Sequence, residues 1–376
     1  MNNSLRSKTR YVDEARDRFC GLLKNNISEV DYISTIDSKH KHIVSLASQE
    51  LISYATLRCW SGQSDQGAPP QFTINSIFNR GPLSPLKWIK ECYASIRFFK
   101  WQGYYDDLFL LNLFGFSRIL EACPVHELIG YSQFSRHTLD GINFSTNERW
   151  IRYIYFCGII NKFNLLSNAN SLWVDIGSFY GGLQYVVNKF LDKPLRNILV
   201  DFEHQLCRSF VVLSYHFPSH KHFIYQQSGE IVDIFSGESC DFHNLPGSYF
   251  LYVSPSCFGS FSQALHSEVD LVSNFFSFGE MKRHHFDEYL HSQIFSKARY
   301  QFLVNRFESS PSFEPTYEDS ITILDYLCKS RSREVLNFGV SPIHHYNLIN
   351  RKIFEKYSPR PVSSPYFQLI TKKTFT

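Results

Sequence analysis

Apolar and polar positions follow two different periods along this chain, and the switch between them is sharpest from Ser171 to Leu191. Leu172 to Ile176 (LWVDI) is a short, nearly continuous apolar run containing Trp and Val, the composition of a buried strand. Leu183, Val186, Val187, Phe190 and Leu191 then recur as one face of a helix. Gly177, Gly181 and Gly182 lie between the two, so the stretch predicts strand, glycine turn, helix. Asn197 to Val200 (NILV) predicts a second strand, and Leu206, Phe210 and Leu213 predict a helix that Pro218 stops. Tyr249 to Val253 (YFLYV), Val269 to Val272 (VDLV) and Tyr300 to Val304 (YQFLV) predict three more strands. Shorter apolar pieces fall at His222 to Tyr225 and at Ile231 to Phe235. Met281, Phe286, Tyr289, Leu290 and Ile294 predict a helix over Glu280 to Phe295. Strands alternating with helices predict an α/β fold with a largely parallel sheet, occupying residues 146–310.

The flanks read differently. Residues 1 to about 60 look mostly helical, with Val44, Leu46, Leu51, Ile52 and Leu57 as a buried stripe. Ser61 to Pro70 (SGQSDQGAPP) is a loop by composition, and Lys87 to Phe116 is again apolar and aromatic. Residues 1–145 are therefore expected to form a helical N-terminal extension that covers the substrate side of the α/β domain. Its aromatic residues read first as core, and only secondarily as a glycan platform. Asn147 to Ile160 (NERWIRYIYFCGII) predicts a helix leading into the first strand. Ser309 to Pro315 (SSPSFEP) marks a boundary, after which residues 311–376 are expected to be a short C-terminal extension with one helix, Asp319 to Cys328.

Composition narrows the class. Of 376 residues, 43% are hydrophobic and 19% charged, which predicts a packed globular protein. A net charge of +3, with no basic block, gives no electrostatic footprint for nucleic acid. The nine cysteines show no C-x-x-C spacing and read as reduced thiols of a cytoplasmic protein. The first residues lack an apolar signal segment, and no run of 18 apolar residues predicts an integral membrane segment. His216, His220 and His222 include an i, i+4 pair but lack a carboxylate partner, so they read as surface histidines rather than metal ligands; the His344-His345 pair is equally unsupported.

The glycine turn selects among nucleotides. A dinucleotide site needs a glycine where this chain has Phe179, because the backbone must approach a pyrophosphate there. S-adenosylmethionine carries no phosphate and tolerates bulk at that point. Asp175, just before the first glycine, suits a ligand bearing an amino group and a sulfonium. Asp201 follows the second strand, 24 residues after Gly177, where a carboxylate can accept from both hydroxyls of a ribose. The bland alternatives are a plain tight turn and a solvated strand-end Asp.

Four blocks in this order, VDIGSFYGG, LVDFEHQLCRSFVVLSYHFP, VDLVSNFFSFGEM and YQFLVNRF, resemble a family of sugar O-methyltransferases often associated with surface-polysaccharide gene clusters. The resemblance covers roughly residues 145–310. Where that family reads E-x-G-x-G-Y-G-G, this chain has Asp175 for the Glu and Phe179 for the middle Gly. The resemblance implies a Rossmann-like class I methyltransferase sheet and S-adenosyl-L-methionine as cofactor. It implies cofactor contacts from Asp175, Gly177, Ser178, Gly181 and Gly182, with Asp201 on the ribose and Phe202 on the adenine. It also places the reactive centre beyond the Val269 to Val272 strand, where Asn274, Ser277 and Glu280 fall. A sugar hydroxyl is a weak acid and calls for a base. Glu280 and His284, or the adjacent His285, are the candidates, expected one helical turn apart on one face, with Asn274 orienting the acceptor. The expected partner is a sugar or glycan. The competing expectation is a methyltransferase-like scaffold that has lost catalysis; a nicotinamide enzyme is disfavoured by Phe179.

Overall fold

A computed structural model describes residues 14–23, 109–123, 135–139, 142–146, 148–308, 320–329, 332–343 and 365–374. The stripe expected at residues 44–57, the loop at 61–70, most of 87–116 and His344-His345 lie outside the described residues. The chain divides into two compact units, one of residues 1–52, 159–340 and 364–376, the other of residues 53–158 and 341–363.

In the second unit, β1 (Ser135–Leu139) and β2 (Ile142–Thr146) form an antiparallel pair, with Leu139 opposite Ile142. Asp140-Gly141 stands between them in the sequence, a dipeptide that favours a two-residue hairpin. Helix α1 (Ser117–Ala122) buries Ile119 and Leu120. Helix α2 (Glu148–Lys162) begins in this unit, and its Gly158 lets the Phe116 ring lie where a Cβ would be only 2.4 Å away.

The first unit is built on a ten-stranded sheet. Its chain order is β3 (Ser171–Ile176), α3 (Gly182–Leu191), β4 (Leu195–Val200), α4 (Glu203–His216), β5 (Lys221–Tyr225), β6 (Ile231–Asp233), β7 (Ser239–Cys240), β8 (Tyr249–Val253), α5 (Phe258–Ala264), β9 (Leu271–Phe275), α6 (Arg283–His291), α7 (Gln293–Lys297), β10 (Tyr300–Arg306), α8 (Ile323–Lys329), β11 (Arg333–Val340) and β12 (Tyr366–Lys373). Across the sheet the order is β11-β12-β10-β9-β3-β4-β8-β5-β6-β7. The six strands from β10 to β5 run parallel; β12 is antiparallel to both its neighbours, and β6 and β7 end the other side as antiparallel strands. This is the expected Rossmann-like α/β sheet. From β3 the chain first builds to one side through β4, then crosses to β9 on the other. The carboxyl ends of β3 and β9 therefore flank a topological switch point, where sheets of this kind open a crevice.

The two faces of the sheet are chemically unlike. Alternate strand residues Leu172, Val174, Ile176, Ile198, Val200, Leu251, Val253 and Leu303 point to one side with Phe258 of α5, Phe286 and Tyr289 of α6 and Tyr326 of α8 in a single apolar core. On the other side Asp175 accepts from Gln184 of α3, and Phe210 of α4 packs on Tyr252 at 6.0 Å. The helical segment 14–23 belongs to this second layer. Its Phe19 ring lies 5.0 Å from Phe210 and 5.1 Å from Tyr252, and Arg18 donates to the carbonyls of Ile234 and Phe235.

These observations move both domain boundaries drawn from sequence. Segment 14–23 is a layer of the α/β unit, not part of a separate 1–145 region. Residues 333–340 and 366–373 are not an extension either, because β12 is inserted between β10 and β11 within the main sheet. The single helix expected over Glu280 to Phe295 is three pieces. Phe278–Glu280 is a 3-10 turn, Lys282 and Ser292 have extended backbone (ψ 149 and 154), and α6 and α7 start after them. The Ser292 hydroxyl accepts from the Phe295 N–H and so caps α7.

Candidate functional site

The site lies wholly within the first unit, at the carboxyl ends of β3, β4, β9 and β10. The turn after β3 is shaped by residues with left-handed backbone: Gly177 (φ 75), Phe179 (φ 56) and Gly181 (φ 78). At Gly177 the need for glycine is steric as well, since a Cβ would sit 2.2 Å from Ser277 Oγ. At Gly181 a Cβ would sit 2.9 Å from Leu213 Cδ1 of α4. Phe179 has no such licence. A phenylalanine held at positive φ is strained, and strain of this kind concentrates at functional sites. Three contacts hold it there: its N–H donates to Asp201 Oδ2 (2.6 Å), its carbonyl accepts from Ser209 Oγ (2.6 Å), and its half-buried ring stands edge-on to Tyr180.

Asp201 thus does not stand open at the tip of β4 as expected. Oδ2 is engaged by Phe179, and Oδ1 accepts from the Phe202 N–H at 2.7 Å. The carboxylate ties the glycine turn to the second strand, and only its remaining lone pairs are available to a diol. Desolvation pushes its pKa up to about 7, against the lowering effect of those two N–H groups and of the Arg208 charge. Phe202, at the start of α4, is partly exposed beside it.

Asp175 is also more enclosed than a ligand contact should be. It is 2% exposed, and both oxygens already accept: Oδ1 from Ser273 Oγ at 2.5 Å and Oδ2 from Gln184 Nε2 at 2.6 Å. The parallel register sets Asp175 beside Ser273, and Ser273 Oγ in turn accepts from Trp173 Nε1 at 2.7 Å. Burial raises the Asp175 carboxyl to about 7, with both hydrogen bonds opposing. Asp175 is a positioning residue that joins β3, β9 and α3.

Asn274 needs the same correction. Its side chain is fully buried and has no capacity left: Nδ2 donates to the Ile176 carbonyl (2.7 Å) and Ser277 Oγ (2.5 Å), while Oδ1 accepts from the Phe278 N–H (3.1 Å) and Asn305 Nδ2 (2.9 Å). It clasps the ends of β3, β9 and β10 and does not reach an acceptor. Ser178 is the opposite case. Its hydroxyl is buried, lies in the turn, and has no hydrogen-bond partner among the described residues.

Glu280 and His284 are both exposed but do not share a helix face, because the extended Lys282 separates the 3-10 turn from α6. Glu280 is nonetheless surrounded closely enough that desolvation raises its carboxyl above the ordinary value, opposed by the Arg306 charge. His284 lies against the buried His285, ring centroids 3.8 Å apart. Near the same edge, Arg306 Nε donates to the Tyr366 hydroxyl at 3.2 Å, and the Phe276 ring meets Tyr366 edge-on at 4.7 Å. Phe276 is the second phenylalanine at positive φ here (φ 72), at the end of β9. Tyr366 and Phe276 were not singled out from the sequence. The only local signal was the aromatic and β-branched content of YFQLIT, a composition that suits a strand but does not alternate.

The histidines read as superficial are structural. His222 is fully buried, bonds Tyr252 through Nδ1 (2.9 Å) and stacks on Phe250, and burial depresses its pKa to about 3. His216 packs on Tyr185 and is depressed to about 4, by burial first and then by Lys189. Among the described residues no group of three or more His, Cys, Asp or Glu is placed to hold a metal ion, and no helix is long and apolar enough to cross a membrane.

No family model matches the chain, and no curated protein matches it. Solved structures do. An S-adenosylmethionine-dependent methyltransferase from Aquifex aeolicus matches at 10% identity over 57% of this chain and 88% of its own, with a TM-score of 0.31. Geranyl diphosphate C-methyltransferase from Streptomyces coelicolor matches at 10% identity over 60% and 84%, with a TM-score of 0.33. A protein from Thermoplasma acidophilum matches at 11% identity over 60% and 90%, with a TM-score of 0.32. Likeness at this level says nothing of ligand or activity, and the fold stands on the strand order described above.

Proposed function

We propose that this protein is an S-adenosyl-L-methionine-dependent O-methyltransferase acting on a sugar hydroxyl, in a surface glycan or its precursor. The observation that carries the reading is the turn after β3. It sits at the switch point, braced by Asp201 and Ser209, with one buried hydroxyl left unpaired at Ser178. That orphan suits the carboxylate or ammonium of an adenosyl amino acid, and the open amides at the start of the ten-residue α3 suit its carboxylate. Gly177 and Gly181 let Ser277 and Leu213 close on the turn from behind and so fix its shape, and Gly182 opens α3 beside it. Asp201 offers its unused lone pairs to the ribose, and Phe202 offers a face to the adenine. Phe179 stands in sequence where a dinucleotide site needs a glycine, which favours a phosphate-free cofactor over a dinucleotide. The sugar O-methyltransferase pattern in the four sequence blocks supports the acceptor class.

When bound, the cofactor supplies a methyl group on a sulfonium. The chain's part is to hold a hydroxyl in line with it and to take the hydroxyl proton. Glu280 is the base in this reading. It is accessible, and desolvation lifts its carboxyl toward the range where a base works best. Phe276, Arg306 and Tyr366 form the neighbouring aromatic and cationic wall for a sugar ring. His284 is the alternative base. Asn274 and Asp175 act only by fixing the strand ends.

Both carboxylate oxygens of Asp201 are already engaged, and that observation favours the second reading, a non-catalytic scaffold in glycan assembly. Calorimetry with S-adenosylmethionine and S-adenosylhomocysteine separates the two. Micromolar binding, with transfer of labelled methyl to hydroxyls in a panel of free and nucleotide-linked sugars, is expected. No heat and no thermal stabilisation at millimolar ligand would overturn the transferase.

A further inference from the structure

We propose that Cys20 and Cys207 form a redox modification site, a dithiol that a hydroperoxide converts into an intramolecular disulfide fastening segment 14–23 to α4. This does not depend on the functional reading above. The two Sγ atoms lie 3.0 Å apart although 187 positions separate them in sequence. An S–S bond of about 2.05 Å needs them to close by only about 1 Å. Both helices are held in place around the pair. Phe19 is wedged between Phe210 and Tyr252, and Arg18 anchors the same segment to the carbonyls of Ile234 and Phe235.

The two thiols differ in character. Cys20 is lowered to about 7 by its hydrogen bond with Cys207 and then by Arg16, one helical turn away, against the opposing effect of burial. Cys207 is shifted upward, by the same bond and by burial. Burial also raises the thiols of Cys157, Cys240 and Cys257, so none of these three shares the Cys20 environment. Cys20 also keeps 7% exposure on the outer segment while Cys207 is sealed within α4, so a peroxide meets Cys20 first: Cys20 is the attacking thiolate and Cys207 the resolving thiol. In the first step the Cys20 thiolate attacks one oxygen of ROOH. The O–O bond breaks, and with one proton the products are Cys20 sulfenic acid and ROH. In the second step Cys207 Sγ attacks Cys20 Sγ. The S–OH bond breaks, and the Cys207 proton leaves with the hydroxide as water. Two thiols are oxidised and one peroxide is reduced.

The bond would act on the site through α4. Ser209, two residues beyond Cys207, holds the Phe179 carbonyl, and Leu213 fills the space beside Gly181.

The test treats the full chain with a small excess of hydrogen peroxide, alkylates remaining thiols and maps peptides by mass. A Cys20–Cys207 linked peptide, lost on treatment with dithiothreitol, is expected. A rise of several degrees in the thermal midpoint should accompany it, and should be absent in Cys20→Ser and Cys207→Ser. Full alkylation of both thiols after peroxide, a link from Cys20 to a different cysteine, or Cys20 oxidised to sulfinate beside an alkylatable Cys207 would each overturn the proposal. Mapping the wild-type chain decides the matter even where a serine variant folds poorly.

Discussion

The two faces of the central sheet solve one problem in opposite ways. On one face the strands are covered mainly by rings and branched aliphatics that meet by shape: Phe278, Phe286, Tyr289 and Tyr326 interleave with Ile176, Val272 and Leu303. On the other face β3, β4 and β9 bury a connected polar series. Trp173 donates to Ser273, Ser273 and Gln184 donate to Asp175, and Asn188 of α3 exchanges hydrogen bonds with Asn197 of β4 at 3.0 and 3.2 Å. An apolar face tolerates small shifts of its helices. A polar series leaves a desolvated donor or acceptor behind whenever a helix slides. α3 begins at the glycine turn, so the polar face is what fixes that turn relative to the strand ends. One side supplies stability and the other supplies registration.

That contrast can be broken at graded depth. Phe286→Ala on the apolar face should cause the largest loss, about 3 to 5 kcal/mol by chemical denaturation. Its effect on S-adenosylhomocysteine affinity, read by calorimetry below the unfolding range, should be small. Gly177→Ala should reverse that balance. Its positive φ and its approach to Ser277 predict a stability loss of roughly 1 to 3 kcal/mol and loss of measurable affinity. Intact affinity there would detach the turn from the ligand. Asp175→Asn should change pH dependence more than stability at any one pH. The folded carboxyl titrates at about 7 and the unfolded one near 3.8, so the wild type loses stability as pH rises between those values and levels off above. The variant, with Gln184 turned to present its oxygen, should lose less over that range in melts from pH 4.5 to 8, retaining the part that Asp201 contributes. Phe179→Gly should give the smallest change, a gain of about 1 kcal/mol or less as the left-handed backbone relaxes. A clear loss instead would mean that the ring, not the backbone, carries the turn.

The sequence showed the parallel core because buried parallel strands are continuous apolar runs, as in LWVDI, NILV and YFLYV. It did not show that β11 and β12 join the same sheet. β11 has only half-buried and exposed positions, as an edge strand does, and a register shift between Val335 and Asn337 breaks its period. β12 carries Gln368 and Thr371, whose partners Asn337 and Gln301 lie on other strands and are invisible in a local window. The break at Lys282 was hidden for a similar reason, since Glu280 to Phe295 keeps a helical apolar period across a kink set by the Phe278–Glu280 turn. At the site, residue types were legible and their engagement was not. Asp175, Asn274 and Asp201 were picked out as free functional groups, yet each closes hydrogen bonds with residues that only the folded chain brings near. Ser178, read as one contact among several, keeps a buried hydroxyl with no partner among the described residues.

The placement of β12 also bears on how the molecule is made. Every other strand of this sheet leaves the ribosome before it, yet its seat is an inner slot between β10 and β11. Until it emerges, a nascent chain leaves the edge of β10 open, and β11, which pairs only with β12, lacks its partner strand. Insertion of β12 is necessarily a late event of biosynthesis, and a stalled or clipped product lacking Tyr366 to Lys373 would carry the β10 edge bare into the crowded cell.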